Sequence, residues 1–268
     1  MTATYALDGS RDGDVELPPI FETPFRRDLI HKAFVNLTSH GFQPQGRKPT
    51  AGTDVVADSN DPPTGQGVSR VARMKGGGGG RQGQGGEVAS TRGGRQAHPP
   101  IVEKVIYKKL NKKENKLALC SAIAATASKY LTESRGHKTA EIESFPIIVS
   151  NDIESVSKTA EMTKILDSLH LSADAKRLES RKVRSGRSLL RGRAKKIGKS
   201  VLFVLSDESH VSKAVGAIPG VEAVSVRNLS VLDLAPGSDP IRLTVYSKSA
   251  LEEIRNIQST HLEVMKLR

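Results

Sequence analysis

The chain has 268 residues, 37% of them hydrophobic and only 4% aromatic, with no Trp and a formal net charge of +12. That balance excludes a protein buried throughout and points to a modest core, long non-core segments and a polyanionic partner. The single Cys120 excludes an internal disulfide framework and a cysteine zinc site. The opening MTATYALDGS lacks the basic and apolar regions of a secretion signal, and no apolar run approaches the ~20 residues of a membrane span, so a cytoplasmic protein is expected.

Residues 2–6, TATYA, alternate as a short strand does, and DGSRDGD after them reads as a turn. In LPPIFETPFRRDLIHKAFVNL, the residues Ile30, Ala33, Phe34 and Leu37 recur at helical spacing, with Pro24 near the helix start. From Gly41 to Pro100 the pattern stops. No Leu or Ile lies between Phe42 and Ile101, and no aromatic between Phe42 and Tyr107. Such a segment buries too little apolar surface to offset the entropy of ordering its backbone. It is an excursion from the fold, and a loop this long is functional or disordered.

Order resumes at Asn111, an N-cap with Glu114 three residues on in a variant of the capping box. The helix that follows, NKLALCSAIAATASKYL, is dense in small residues that permit close approach, and Cys120 among them reads as a packed side chain. Then strands and helices alternate. FPIIVS (145–150) is of buried-strand type, and Ile153, Val156, Met162, Ile165, Leu166 and Leu169 form one helical stripe. SVLFVLSD (200–207), VEAVSV (221–226) and IRLTVYS (241–247) are further strands, with helices in SHVSKAVGAIPG and ALEEIRNIQ. The pattern predicts an α/β fold: a single domain with a largely parallel central sheet flanked by helices, plus a long extended irregular loop. Residues 1–42 and 101–268 form the domain, and residues 43–100 are the Gly/Arg-rich insertion.

The charge is concentrated. Residues 177–199 hold ten Lys/Arg against Glu179, and residues 67–96 hold six against Glu87, so the other 215 residues total −2. A formal G-x-G-x-x-G at Gly78, Gly80 and Gly83 lacks the preceding strand and following helix that a dinucleotide site needs, and no P-loop is present. The seven His are dispersed, no nucleophile elbow occurs, and no set of residues stands out as catalytic or as metal ligands, so neither an enzyme nor a cofactor is expected. Arg-Gly interleaving lets backbone approach phosphates while guanidiniums pair with them. The aromatic-free arm argues against a stacking platform and for a segment threading folded RNA.

In order along the chain stand PPIFETPFRRDLIHKAF, GRQGQGG…RGGRQAHPP, CSAIAATAS with SRGH, PIIVSNDIESVSKT and GVEAVSVRNLSVLDLAPG. Together they resemble universal large-subunit ribosomal protein four in its archaeal–eukaryotic branch, over residues 18–247. The resemblance implies an RNA-binding structural protein of the large subunit, supporting assembly, with an α/β body and an inserted loop that reaches through ribosomal RNA. It places the loop tip at the constriction of the peptide exit tunnel, facing ribosomal protein twenty-two and the nascent peptide. By position the tip spans Arg70 to Gln82, with Met74, Lys75, Gly76, Gly77, Gly78, Gly79, Gly80 and Arg81 nearest the lumen. RNA contacts are expected from Arg70, Arg73, Lys75, Arg81, Arg92 and Arg95 in the loop. The second basic run would add Arg181, Lys182, Arg184, Arg187, Arg191, Arg193, Lys195, Lys196 and Lys199. The rival readings are an RNA-binding or chaperone protein working off the ribosome and an α/β nucleotide-dependent enzyme.

Overall fold

A computed structural model describes residues 2–59, 65, 67–75, 80–179, 183–195, 198–239, 241–257, 259 and 261–263. The chain divides into two compact units, one of Met1–Ser39 with Lys108–Arg268, the other His40–Tyr107.

The first unit begins with β1 (Thr2–Tyr5) and β2 (Arg11–Val15), then α1 (Arg27–Ser39). The second unit holds β3 (Ala57–Ser59) and β4 (Ala72–Met74). The first resumes with α2 (Lys112–Ala125), α3 (Lys129–Ser134), β5 (Ile147–Val149), α4 (Thr159–Ser168), α5 (Ser172–Arg177) and α6 (Arg187–Leu190). It closes with β6 (Leu202–Leu205), α7 (Val211–Val215), β7 (Glu222–Ser225), α8 (Val231–Leu234), β8 (Thr244–Ser247) and α9 (Lys248–Ile254).

Six strands form one sheet in the order β2-β1-β5-β8-β6-β7, parallel throughout except for the antiparallel β1–β2 edge. Strand side chains alternate between faces. Leu202, Val204, Ile148 and Tyr246 enter one apolar cluster with residues of α1, α2, α8 and α9. Phe203, Leu205, Val149 and Val245 enter the other with residues of α4 and α7. Burial on both sides is why these strands read as continuous apolar runs rather than alternating ones. Each fully buried Phe, Leu or Ile contributes about 1.5–3 kcal/mol.

Four expectations are corrected. DGSRDGD is a turn only in its first half, because Arg11–Val15 pairs with β1 as a strand; its polar side chains sit on an exposed edge, where no apolar alternation is required. The stripe from Ile153 to Leu169 does lie in one core cluster, but a 3₁₀ turn (Asn151–Ser155) separates its first part from α4. The small-residue helix likewise breaks into α2 and α3. Asn111 occupies the N-cap without a side-chain cap bond, and Glu114 pairs instead with Lys32 at 3.0 Å.

The small residues of α2 do have a packing role. Buried Ser121 donates to the Pro24 carbonyl (3.0 Å) and accepts the Arg26 N–H (2.8 Å), fixing the entry to α1. Burial of Cys120 pushes its thiol pKa up, as befits a packed residue.

Candidate nucleic-acid interface

The sequence from Gly41 to Pro100 contains nothing from which to build a large core, yet the second unit has local order of its own. β3 and β4 pair antiparallel, with Asp58 opposite Arg73. On the other side of β4, the Met74 N–H donates to Gln84 O (2.9 Å), Gly83 N–H to Met74 O (3.0 Å) and Gly86 N–H to Ala72 O (2.8 Å). Residues 83–86 therefore run antiparallel beside β4, with Arg73 bridged to Gly85. Glycine makes this packing possible: a Cβ on Gly86 would lie 2.8 Å from that of Ala57, and one on Gly94 would lie 2.5 Å from Thr91 Oγ1. Two short strands and the bridged segment beside them are thus drawn together by close backbone approach rather than by large side chains.

The expected cations divide by environment. Arg73 is half-buried and braces the bridged segment, donating from one guanidinium nitrogen to Gly83 O (2.8 Å) and from another to Ser69 O (3.3 Å). Lys75 is exposed and pairs with Asp58 at 2.9 Å. Arg81, Arg92 and Arg95 are exposed and, among the described residues, have no side-chain hydrogen bond or ion pair. Arg70 is exposed, and its carbonyl accepts from Ser59 Oγ (3.5 Å). Met74 sits half-buried in β4, and with Val55, Arg81, Gln84, Gly86 and Arg92 lines a concavity of about 520 Å3. Gly80 follows with φ of +76°. Gly76, Gly77, Gly78 and Gly79 lie outside the described residues, as do Arg181, Lys182 and Lys196.

The run 177–199 has an anchored base. Arg177 Nε donates to Asp174 Oδ1 (2.9 Å) while its Nη2 donates to Lys199 O (3.2 Å), joining the two ends of the run. Asp174, fully buried, also accepts from His137 Nδ1 (3.0 Å), Ser200 Oγ (2.6 Å) and the Lys138 N–H (3.1 Å). Burial opposes its ionisation, but the bonds from His137, Arg177 and Ser200 outweigh that and hold the carboxyl well below the usual carboxylate range. Burial pushes the His137 pKa down, so its imidazole stays neutral. Beside this group, Arg242 is 0% exposed and donates to the carbonyls of Ser200, Val201 and Gly220 and to Glu222 Oε2 (2.6 Å). Lys199 pairs with the same Glu222 and belongs to this internal network.

Farther out, the Arg184 N–H donates to Ala194 O (2.8 Å) and the Arg193 N–H to Ser188 O (2.9 Å), closing a compact loop around α6. Arg187, Arg191, Arg193 and Lys195 are exposed, Arg184 is half-buried, and none of the five has a side-chain hydrogen bond or ion pair among the described residues. Leu190, 85% exposed, stands among them.

Sequence reasoning missed a third cationic stretch. Residues 104–116 hold Lys104, Lys108, Lys109, Lys112, Lys113 and Lys116 against Glu114. All six lysines are exposed and, among the described residues, lack a side-chain hydrogen bond or ion pair. A charge count would have found it. Its cations straddle the point where helical periodicity begins.

Exposed, unpaired guanidinium and ammonium groups on glycine-rich backbone suit phosphate recognition. Among the described residues, no group of three or more His, Cys, Asp or Glu is placed to hold a metal ion. No helix is long and apolar enough to cross a membrane among them.

Residues 15–257 match the family model described as the ribosomal protein L4/L1 family. The chain is 40% identical over 251 residues to the large ribosomal subunit protein uL4 of Methanococcus maripaludis, covering 93% of this chain and 96% of the relative. Identity to the uL4 of Pyrobaculum aerophilum is 41% over 255 residues, covering 94% and 88% respectively. For the uL4 of Haloquadratum walsbyi it is 41% over 254 residues, covering 94% and 98%.

Proposed function

This chain belongs to the ribosomal protein L4/L1 family, and on that premise we propose that it is a structural component of the large ribosomal subunit that binds ribosomal RNA through three cationic stretches. As a member of a non-enzymatic ribosomal family it acts in the cytoplasm, within that subunit. The inserted segment, residues 43–100, reaches through RNA, supports assembly and contributes to the exit-tunnel constriction. There it meets ribosomal protein twenty-two and the nascent peptide.

One observation carries this reading: the division of cations into internal braces and exposed, unpaired groups. Arg73 and Lys199 spend their charge inside the protein, whereas Arg81, Arg92, Arg95, Arg187, Arg191 and Arg193 hold theirs outward. A protein working in water gains little from such concentrated self-repulsion; a polyanion removes it. Gly80 and Gly83 adopt positive φ, a backbone that suits a narrow passage.

The test is a photo-crosslinking residue at position 81 in purified ribosomes carrying a stalled nascent chain. Crosslinks to the nascent chain and to tunnel-wall RNA are expected. Crosslinks to neither, at full occupancy of the variant, would overturn the tunnel placement. Loss of the protein from large subunits washed at high salt would favour the alternative of an RNA-binding protein working off the ribosome.

A further inference from the structure

The insertion is free of aromatics, but its boundary is not. His40 and Tyr107, the first and last residues of the second unit, meet edge to face with ring centroids 5.9 Å apart and planes at 87°. Tyr107 is nevertheless 51% exposed, and Phe42 is 56% exposed in the same unit. The edge-to-face contact fixes the plane of a ring whose remaining surface is open. A lone surface tyrosine would turn freely and lose rotamer entropy on binding; this one has already lost much of it.

The surroundings select the ligand. Tyr107 lies within the lysine stretch, with Lys104 before it and Lys108 and Lys109 next in sequence; Glu103 is the one acid of residues 101–109. A fixed aromatic face among unpaired ammonium groups matches an unpaired nucleotide, whose base offers a π-face and whose phosphates offer charge. An apolar protein groove would take up Val105, 82% exposed, as readily as Tyr107, but would leave the lysines without a complement.

We propose that Tyr107, held by His40, is a stacking platform for an unpaired nucleobase of RNA, with Lys104 of the same unit on a flanking phosphate. This rests on the RNA-binding reading above and adds to it a contact that is not electrostatic. Tyr107 would thus bind a looped-out or single-stranded nucleotide, while the arginine-rich stretches bind helical backbone.

The full chain is titrated with a single-stranded oligoribonucleotide carrying 2-aminopurine, whose fluorescence is quenched on stacking. Tyr107→Phe is expected to keep affinity and quenching. Tyr107→Leu, which keeps apolar bulk but loses the π-face, is expected to weaken binding roughly tenfold and to abolish the quench. The dependence of affinity on salt should not change, because no phosphate contact is removed. Unaltered thermal transitions of both variants confirm folding.

Wild-type affinity and quenching in Tyr107→Leu would overturn the stacking site. So would equal losses in Tyr107→Phe, which would indicate a hydroxyl contact, or undiminished RNA binding with Tyr107→Leu defective only towards a protein of the subunit. Failure of the wild-type chain to bind the oligonucleotide at low salt would instead overturn the parent reading. The two failures are therefore distinguishable.

Discussion

His137 Nδ1 lies 3.0 Å from Asp174 Oδ2, and neither side chain is more than 1% exposed. The pair closes the base of the 177–199 run, because the same carboxylate holds Arg177, whose other nitrogen reaches the Lys199 carbonyl. Asp174→Ala leaves His137, Ser200 and Arg177 without their common acceptor. A loss of about 3–5 kcal/mol in urea unfolding is expected, together with faster proteolysis within 177–199. Wild-type values in both would show that the run is anchored elsewhere.

The same pair sets an acid limit on stability. Unfolded, His137 takes up a proton near pH ~6.5, and Asp174 does so near ~3.9. Folded, both groups bind protons only at lower pH, His137 because of burial and Asp174 because of its hydrogen bonds. Below either unfolded value the unfolded chain thus binds more protons, so stability falls as pH falls. Stability should be constant above pH ~6.5, decline below it, and decline more steeply below ~4. His137→Gln is expected to remove the first decline and leave the second, as read from melting temperature against pH.

Exposed and internal cations should separate in a salt titration. Neutralising Arg184, Arg187, Arg191 and Arg193 together is expected to weaken binding to large-subunit RNA. The slope of log affinity against log salt should shrink by roughly 0.7–0.9 per lost phosphate contact. Lys199→Gln and Arg73→Gln should instead lower stability and leave the slope close to wild type. A slope unmoved by the fourfold variant would mean that this loop is only a solvated face.

Close backbone approach in the second unit gives a local prediction. Gly94→Ala places a methyl group against the Val88 carbonyl and Thr91. Hydrogen exchange is expected to speed up at the amides of Met74, Gly83 and Gly86, while those of β6 and β8 keep their protection. Uniform loss of protection would mean that the glycines also support the first unit.

Independence of the body can be tested outright. Replacing residues 45–98 by a short Gly-Ser linker is expected to leave a cooperative thermal transition within a few degrees of wild type, since the apolar clusters of the first unit draw no residue from 43–100. Loss of cooperativity would make the insertion part of the core.

The sheet was readable because β5, β6 and β8 are buried on both faces and therefore continuously apolar. β2 was not, because an exposed edge strand needs no apolar side chain and its RDGDV carries turn residues. The cationic stretches were legible as counts, but their roles were not. Arg73 and Arg81 look alike in the sequence; only the Gly83 carbonyl beside one of them makes it a brace. Asp174 carried no signal at all. Arg177 stands only three residues away, but His137 and Ser200 are brought to it by folding rather than by spacing.

Ser39 Oγ accepts the Lys108 N–H at 3.0 Å, so the first unit releases the chain and recovers it at one point. Closing a loop from a fixed doorway costs free energy that grows only with the logarithm of its length, about 0.6 kcal/mol per doubling. An insertion of 30 residues or of about 100 would thus load the body almost equally. How long the insertion is and how firmly the body folds can therefore evolve as separate quantities.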